Sequence, residues 1–218
     1  MEEQFWKDAW TNRRIGFHMP EYNKFLEHFI TNSKIDKSQV ALVPLCGKTL
    51  DMIYLRDQGF KVVGIEIATQ ATEEFFSENK IEHTIREAGE YTIYESNSLT
   101  IICGDILNVT SELTGNIGFI YDRAATVALP PAMRAQYFSK LKELSQEKTE
   151  LLLITGHSLV EDLIGPPFSV PKEEIELAYK PTSSHFEILN EKKGRINSSR
   201  LRDQGITERV MVAHHIKF

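Results

Sequence analysis

The apolar positions of this chain change their period along its length. "YNKFLEHFI" sets Tyr22, Phe25, Leu26, Phe29 and Ile30 on one side of a 3.6-residue repeat, which predicts an amphipathic helix. "VALVPL" is a short unbroken apolar run and predicts a buried strand of a parallel sheet. In "TLDMIYLRDQG" the helical period returns. Leu50, Ile53 and Tyr54 share a face, Thr49 is placed to cap the start, and Gly59 to end it. "KVVGIE" predicts a second strand, "TQATEEFFSEN" a helix capped by Thr69, and "TIYESNSLTIICGD" a hairpin turning at Glu95 to Ser98. "IGFIYDRA" predicts a strand ending in Asp122. "AMRAQYFSKLKELSQEK" follows as a helix with Tyr137, Phe138, Leu141 and Leu144 on one face, and "TELLLITGH" is the most apolar strand. Its prolines keep "GPPFSVP" out of helix interiors and central strands, so it reads as a rigid loop before the helix "KEEIELAYK". "SHFEILNEK" and "ITERVMVAHHIKF" predict two antiparallel closing strands. The first segment, "FWKDAWTNRRIGFHMPE", has no clear period. It is nevertheless too rich in Trp and Phe for a loose tail, because those side chains need burial.

Strands alternating with helices imply a parallel sheet covered on both faces, and a final antiparallel pair is common at the edge of such sheets. The expected fold is a doubly wound, Rossmann-like α/β domain with a mostly parallel sheet and an antiparallel closing strand. At 218 residues the chain suits one domain, residues 1–218. Residues 1–35 form an N-terminal segment and helix, and 40–218 the core. Apolar content of 41% and charged content of 26% are ordinary for a globular protein. The net charge of −6 argues against a nucleic-acid binder, which usually carries a basic surplus. Two cysteines, Cys46 and Cys103, are too few for a disulfide framework, and no closely spaced Cys/His set suggests a metal site. His214 and His215 are adjacent in the last strand, so their rings point to opposite faces. No metal is expected. The acidic N-terminus lacks the apolar stretch of a secretory signal, and no apolar run approaches a membrane span. The expected setting is the reducing cytoplasm, away from membranes.

Ligands of such sheets bind at the carboxyl ends of the strands. The ends here are Leu45-Cys46-Gly47, Glu66, Cys103-Gly104-Asp105, Asp122-Arg123 and Thr155-Gly156-His157. Glu66 closes the second strand and is placed either to accept hydrogen bonds from ribose hydroxyls or to sit in solvent as a strand-end acid. The loop "PLCGK" holds one glycine, Gly47, where a pyrophosphate-binding loop needs several. Gly47 permits close approach of a ligand without phosphates, such as S-adenosylmethionine, or it simply makes a tight turn. Asp105 suits the adenine amine or an ordinary helix cap. Asp122-Arg123 reads as a functional pair or as a surface ion pair. His157 and Ser158 adjoin one another, but no G-x-S-x-G elbow supports a hydrolase.

At these residues the chain resembles the thiopurine S-methyltransferases, especially the bacterial branch. "FWKDAW", "IGFH", "VPLCGKTLDMIYL", "GFKVVGIE", "CGDI", "YDRAATVALPP" and "GPPFSVP" carry the resemblance, in order, and "LRDQGITERV" matches more loosely. The resemblance implies a class I methyltransferase using S-adenosyl-L-methionine. Its implied acceptor is an aromatic or heterocyclic thiol such as a thiopurine, with selenium and tellurium compounds as further acceptors, and it implies a monomer. Matched position by position, it puts cofactor contacts on Trp6, Leu45, Glu66, Asp105, Ile106 and Arg123, and a substrate-facing aromatic on Phe17. Arg200 matches a substrate-side arginine. "ITGHSLVEDLIGPPF" departs from the family pattern after the fifth core strand and bears on the acceptor pocket.

The implied reaction is an in-line displacement in which a soft anion takes a methyl group from a sulfonium. Charges neutralise as it proceeds, so exclusion of water helps. Trp6, Trp10 and Phe17 are placed to serve as a lid; the plainer reading makes them packing for the next helix. No essential general base is expected, and Arg123, Arg200 and Phe17 would orient the acceptor. Two rivals share the fold: a non-catalytic S-adenosylmethionine-binding module, and a nicotinamide-dependent oxidoreductase, for which "PLCGK" lacks the glycines.

Overall fold

The computed structural model describes residues 3–158, 165–196 and 199–218, without the side chains of residues 199 and 200. Two compact units divide the chain, one ending at Phe119 and the other running from Ile120 to Phe218.

The first unit opens with α1 (Glu3–Thr11), α2 (Lys24–Asn32), β1 (Val40–Pro44), α3 (Asp51–Asp57), β2 (Lys61–Glu66) and α4 (Thr69–Glu78). It continues with β3 (Thr84–Ala88), β4 (Tyr91–Ser96), β5 (Leu99–Cys103), the short α5 (Ser111–Thr114), and β6 (Ile117–Arg123), which crosses the boundary. The strand order is β3-β4-β5-β2-β1. β1, β2 and β5 run parallel, and β3 and β4 are antiparallel additions. Nearly every residue of the parallel strands is buried, which explains their unbroken apolar sequences.

Local chemistry sets the element ends. Asn23 Oδ1 accepts from the amides of Phe25 at 2.9 Å and Leu26 at 3.3 Å and so begins α2 at Lys24, two residues later than the apolar pattern implies. Tyr22 lies outside the helix and packs on Tyr54. Thr49 Oγ1 accepts from the Asp51 amide at 3.3 Å, while Leu50 is the capping residue of α3. Gly59 follows α3 with φ +100°, as expected of the residue that ends it. Thr69 is not the cap of α4: Ala68 is, and the Thr69 hydroxyl instead faces Cys103 Sγ at 3.3 Å. The unpatterned N-terminal segment contains a helix, α1, that lies against α4. β3 was also not foreseen; its five residues are mostly exposed, so no apolar run marks them.

The second unit holds α6 (Pro131–Leu144), β7 (Ser145–His157), α7 (Lys172–Tyr179), β8 (His185–Arg195), α8 (Ser199–Asp203) and β9 (Glu208–Lys217). β9 lies between β7 and β8, antiparallel to both. α6 ends at Leu144, and the strand begins at once, four residues before the apolar run at Thr149. Asp122 is the hub here. It is fully buried and accepts from the Thr126 hydroxyl at 2.6 Å, the Tyr137 hydroxyl at 2.8 Å and the Thr126 amide at 3.1 Å. Of the two readings of Asp122-Arg123, the surface ion pair is excluded, because Asp122 is buried. Asp122 braces the turn 126–128 and α6, which accounts for the acid without an ion pair to its neighbour.

Candidate active site

The register of the parallel strands aligns their carboxyl ends. Pro44 pairs with Ile65, and Glu66 with Cys103. The ladder continues one step further, through Cys46 N to Ile65 O at 2.9 Å and Gly104 N to Glu66 O at 2.8 Å. This brings Leu45 to Gly47, Glu66 to Ala68, and Gly104 to Ile106 to one edge of the first unit.

Glu66 is 6% exposed, which excludes the solvated strand-end acid. Its Oε2 accepts from the Gly47 amide at 2.7 Å, and its Oε1 from the Ala68 amide at 2.8 Å. Burial pushes its pKa up, while the amides of Ala68, Gly47 and Ile67 oppose that rise. With three amides on about four lone pairs, the carboxylate keeps room for a hydroxyl donor. The loop that meets it is unusually bent. Leu45 has φ +47° and Gly47 φ +53°. The left-handed region costs a side-chain-bearing residue about 1–2 kcal/mol, and such backbones persist where the surroundings over-determine them. A Cβ on Gly47 would lie 3.0 Å from Trp10 Cζ2, so a side chain there would press on the indole as well as meet an unfavourable φ.

The cover over this loop comes from the N-terminal segment. Trp10 is 1% exposed and packs with Ala68 and Ala71, joined by Ile15 and Phe17. Phe17 meets Trp10 at 5.6 Å and Trp6 at 5.8 Å, both edge-on. Trp6 and Phe17 remain half-buried. Beneath Trp10, Lys48 is 6% exposed and lies 5.9 Å from the indole ring. Its Nζ donates to Glu74 Oε2 and Glu78 Oε1, each at 2.7 Å, and Arg13 Nη1 donates to both Glu74 oxygens at 2.7 Å. Gln70 adds a bond to Glu74 at 2.8 Å. Burial works against the Glu74 charge, but the bonds from Lys48, Gln70 and Arg13 win and bring its pKa down to about 2. Glu74 thus joins the covering segment to the Gly47 loop through α4. Sequence reading missed this clamp: Arg13, Lys48 and Glu74 are far apart along the chain and look like ordinary surface charges.

Asp105 is exposed, and its Oδ1 accepts from the Leu107 amide at 2.9 Å, the turn-cap arrangement that sequence allowed. Ile106 is buried beside it. Gly104 has no room for a Cβ, which would lie 2.5 Å from Tyr91 Cδ1. Cys46 and Cys103 are free thiols. Burial raises both pKa values, that of Cys46 well above its ordinary value, so neither supplies a thiolate near neutral pH. The groove at Phe76, Lys80 and His83 lies at the other end of α4 from Ala68 and is unrelated to these strand ends.

Of the remaining candidates, Arg123 ends β6 in the second unit and is half-buried. The side chain of Arg200 lies outside the described residues, as do residues 159–164 of the segment that departs from the family pattern. The described part of that region is tied to β7: Val170 N donates to Gly156 O at 3.1 Å, and Ser158 N to Ser169 Oγ at 3.0 Å. Ser158 is thus held through its amide. Arg209, not singled out from sequence, donates through Nη2 to Gly156 O at 2.5 Å, and burial lowers its pKa to about 10. Gly156 is needed there, because a Cβ would collide with the guanidinium.

The thiopurine S-methyltransferase family model matches residues 1–211. The chain belongs to the thiopurine S-methyltransferase family. A thiopurine S-methyltransferase from Pseudomonas fluorescens (strain SBW25) is 40% identical over 180 residues, covering 82% of each chain. One from Methylococcus capsulatus is 34% identical over 218 residues, covering 100% of this chain and 98% of its own. Among solved structures, magnesium protoporphyrin IX methyltransferase from Synechocystis, with bound S-adenosylhomocysteine, is similar with a TM-score of 0.65 at 12% identity, covering 100% of both chains. The 1,6-didemethyltoxoflavin-N1-methyltransferase of Burkholderia thailandensis gives 0.59 at 12% identity, over 99% of this chain and 86% of its own. The fold is that of class I S-adenosylmethionine-dependent methyltransferases, and the chain is a methyltransferase whose cofactor is S-adenosyl-L-methionine. A single-glycine loop facing a buried carboxylate fits that cofactor, and the nicotinamide alternative falls.

Proposed function

We propose that the acceptor is the sulfur of an aromatic or heterocyclic thiol such as a thiopurine, with selenium or tellurium compounds as further acceptors. The observation that carries this is the apolar aromatic cover: Trp10 and Phe17 lie against Gly47, and Trp6 packs on Phe17. A soft anion meeting a sulfonium gains from such a dry surrounding, because water stabilises separated charges more than merging ones.

When bound, S-adenosylmethionine supplies an activated methyl group. Glu66 would accept ribose hydroxyls, Asp105 the adenine amine, and Ile106 and Leu45 would pack beside them. Gly47 holds the loop close enough for contact, and Trp6 and Trp10 exclude water. Phe17 would face the acceptor, with Arg123 and Arg200 orienting it. No side chain of the first unit's edge is set up as a strong base, and aromatic thiols ionise without one. We further infer one domain, a monomer, and a cytoplasmic setting with neither nucleic acid nor membrane as partner; among the described residues no helix is long and apolar enough to cross a membrane.

The test is calorimetric titration with S-adenosylhomocysteine, with NAD as control, then turnover of thiopurine, thiophenol and selenite followed by mass spectrometry. Binding of the first ligand with methylation at sulfur is the expected result. Binding without turnover of any soft acceptor would favour a cofactor-binding module.

A further inference from the structure

The second unit carries a group of ligand-type side chains that methyl transfer does not use. On the β8–β9 ladder Glu187 stands opposite His215, and His185 opposite Lys217. The two-residue period of a strand puts His185 and Glu187 on one face. β7 adds Glu150, opposite Lys217. One donor atom from each of His185, Glu187 and His215 lies within 4.8 Å of the other two. His185 Nε2 is 3.3 Å from Glu187 Oε2, and the two imidazoles meet edge-on with centroids 5.1 Å apart. Glu150 Oε2 lies 2.6 Å from His215 Nε2 and 3.2 Å from Lys217 Nζ.

Two imidazoles and a carboxylate suit borderline divalent transition metals, whereas magnesium and calcium prefer oxygen throughout. Tetrahedral zinc binds nitrogen and oxygen at about 2.0–2.1 Å, which holds its donors about 3.3–3.4 Å apart. The His185–Glu187 separation already meets that spacing. The wider ones close by side-chain rotation. His185 and Glu187 are 42% and 54% exposed and free to turn, while His215 and Glu150 are 13% and 14% exposed and anchored. We propose that His185, Glu187 and His215 form a site for a divalent transition-metal ion of the zinc class, with Glu150 as the fourth donor. On binding, His215 in its Nδ1–H tautomer would offer the Nε2 lone pair to the metal in place of the contact with Glu150, whose carboxylate would stand beside the ion. The ion would join β7, β8 and β9, far in sequence from every residue assigned to the cofactor.

The test uses the full chain after dialysis against a chelator. Cobalt(II) is titrated while the visible bands of tetrahedral coordination are recorded, then displaced with zinc; zinc binding is measured by calorimetry. His185→Ala and the His185→Ala/Glu187→Gln double variant are compared, with Cys46→Ser/Cys103→Ser as a control for capture by thiols. The His185 and Glu187 variants are checked for unchanged S-adenosylhomocysteine affinity, and the cysteine control for an unchanged circular dichroism spectrum, which shows that they fold. We expect one equivalent of zinc, at least tenfold weaker binding in His185→Ala, near loss in the double variant, and no change in the cysteine control. Absence of saturable binding, binding that survives the double variant, or binding lost in the cysteine control would overturn the proposal.

Discussion

Glu66 shows how one residue is set by several elements. The β2 register brings it to the strand edge, the Gly47 and Ala68 amides fix its two oxygens, and burial resists its charge. Glu66→Gln keeps the shape but turns one oxygen into a donor facing an amide. A hydrogen bond to a charged group contributes about 1.5–3 kcal/mol, so S-adenosylhomocysteine affinity should fall about 10- to 100-fold by calorimetry. Gly47→Ala meets two obstacles, a φ of +53° and an indole carbon 3.0 Å from the new Cβ. About 1–2 kcal/mol of strain is expected from the dihedral alone. Weaker cofactor binding together with a shifted Trp fluorescence spectrum would report it; unchanged values would show that the loop relaxes. From the sequence, Glu66 and Gly47 stood out by their position after strands. Lys48 did not, because a lysine after a glycine looks solvated until its partners are known.

At the scale of elements, the clamp on α4 and the hub on α6 make separate predictions. Glu74 titrates at about 2 in the folded chain, against an ordinary 4.5. The unfolded chain takes up its proton first, so this stability is complete above about pH 4.5 and is lost as pH falls towards 2. Glu74→Gln should therefore cost about 1 kcal/mol near neutrality, after solvent screening, and progressively less in acid. Melting curves of both proteins across that window check it, and a difference constant with pH would contradict it. Asp122→Ala strands the Thr126 and Tyr137 hydroxyls in the interior. A loss of about 3 kcal/mol is expected, seen as a fall in Tm of about 6–12 °C. The helices and strands themselves were largely legible, since burial on one face imposes a period. The exposed β3 was not, because it has no apolar run; α1 does carry a stripe, Phe5, Trp6, Ala9 and Trp10, within a segment whose aromatic and charged residues otherwise follow no period.

For the whole molecule, family membership makes the chain a methyltransferase, and the acidic balance supports the small-molecule acceptor proposed above. One domain predicts a single calorimetric unfolding transition, with the van't Hoff and calorimetric enthalpies equal; two separated transitions would instead make the two compact units independent. Light scattering should give the mass of one 25.0 kDa chain. S-adenosylhomocysteine should raise Tm in proportion to the logarithm of its excess, and NAD should not.

What the sequence determined by itself were the properties carried by near neighbours along the chain. These were the periods of helices and strands, the glycine at the loop, the carboxylate after β2, and the motif order that marks the family. What only the tertiary structure decided were relations between residues distant in sequence. Glu74 gathers Arg13 and Lys48; Asp122 faces α6 rather than Arg123; His185 and Glu187 meet His215. Such meetings depend on strand register and helix packing, which the whole chain settles together as it buries its apolar surface.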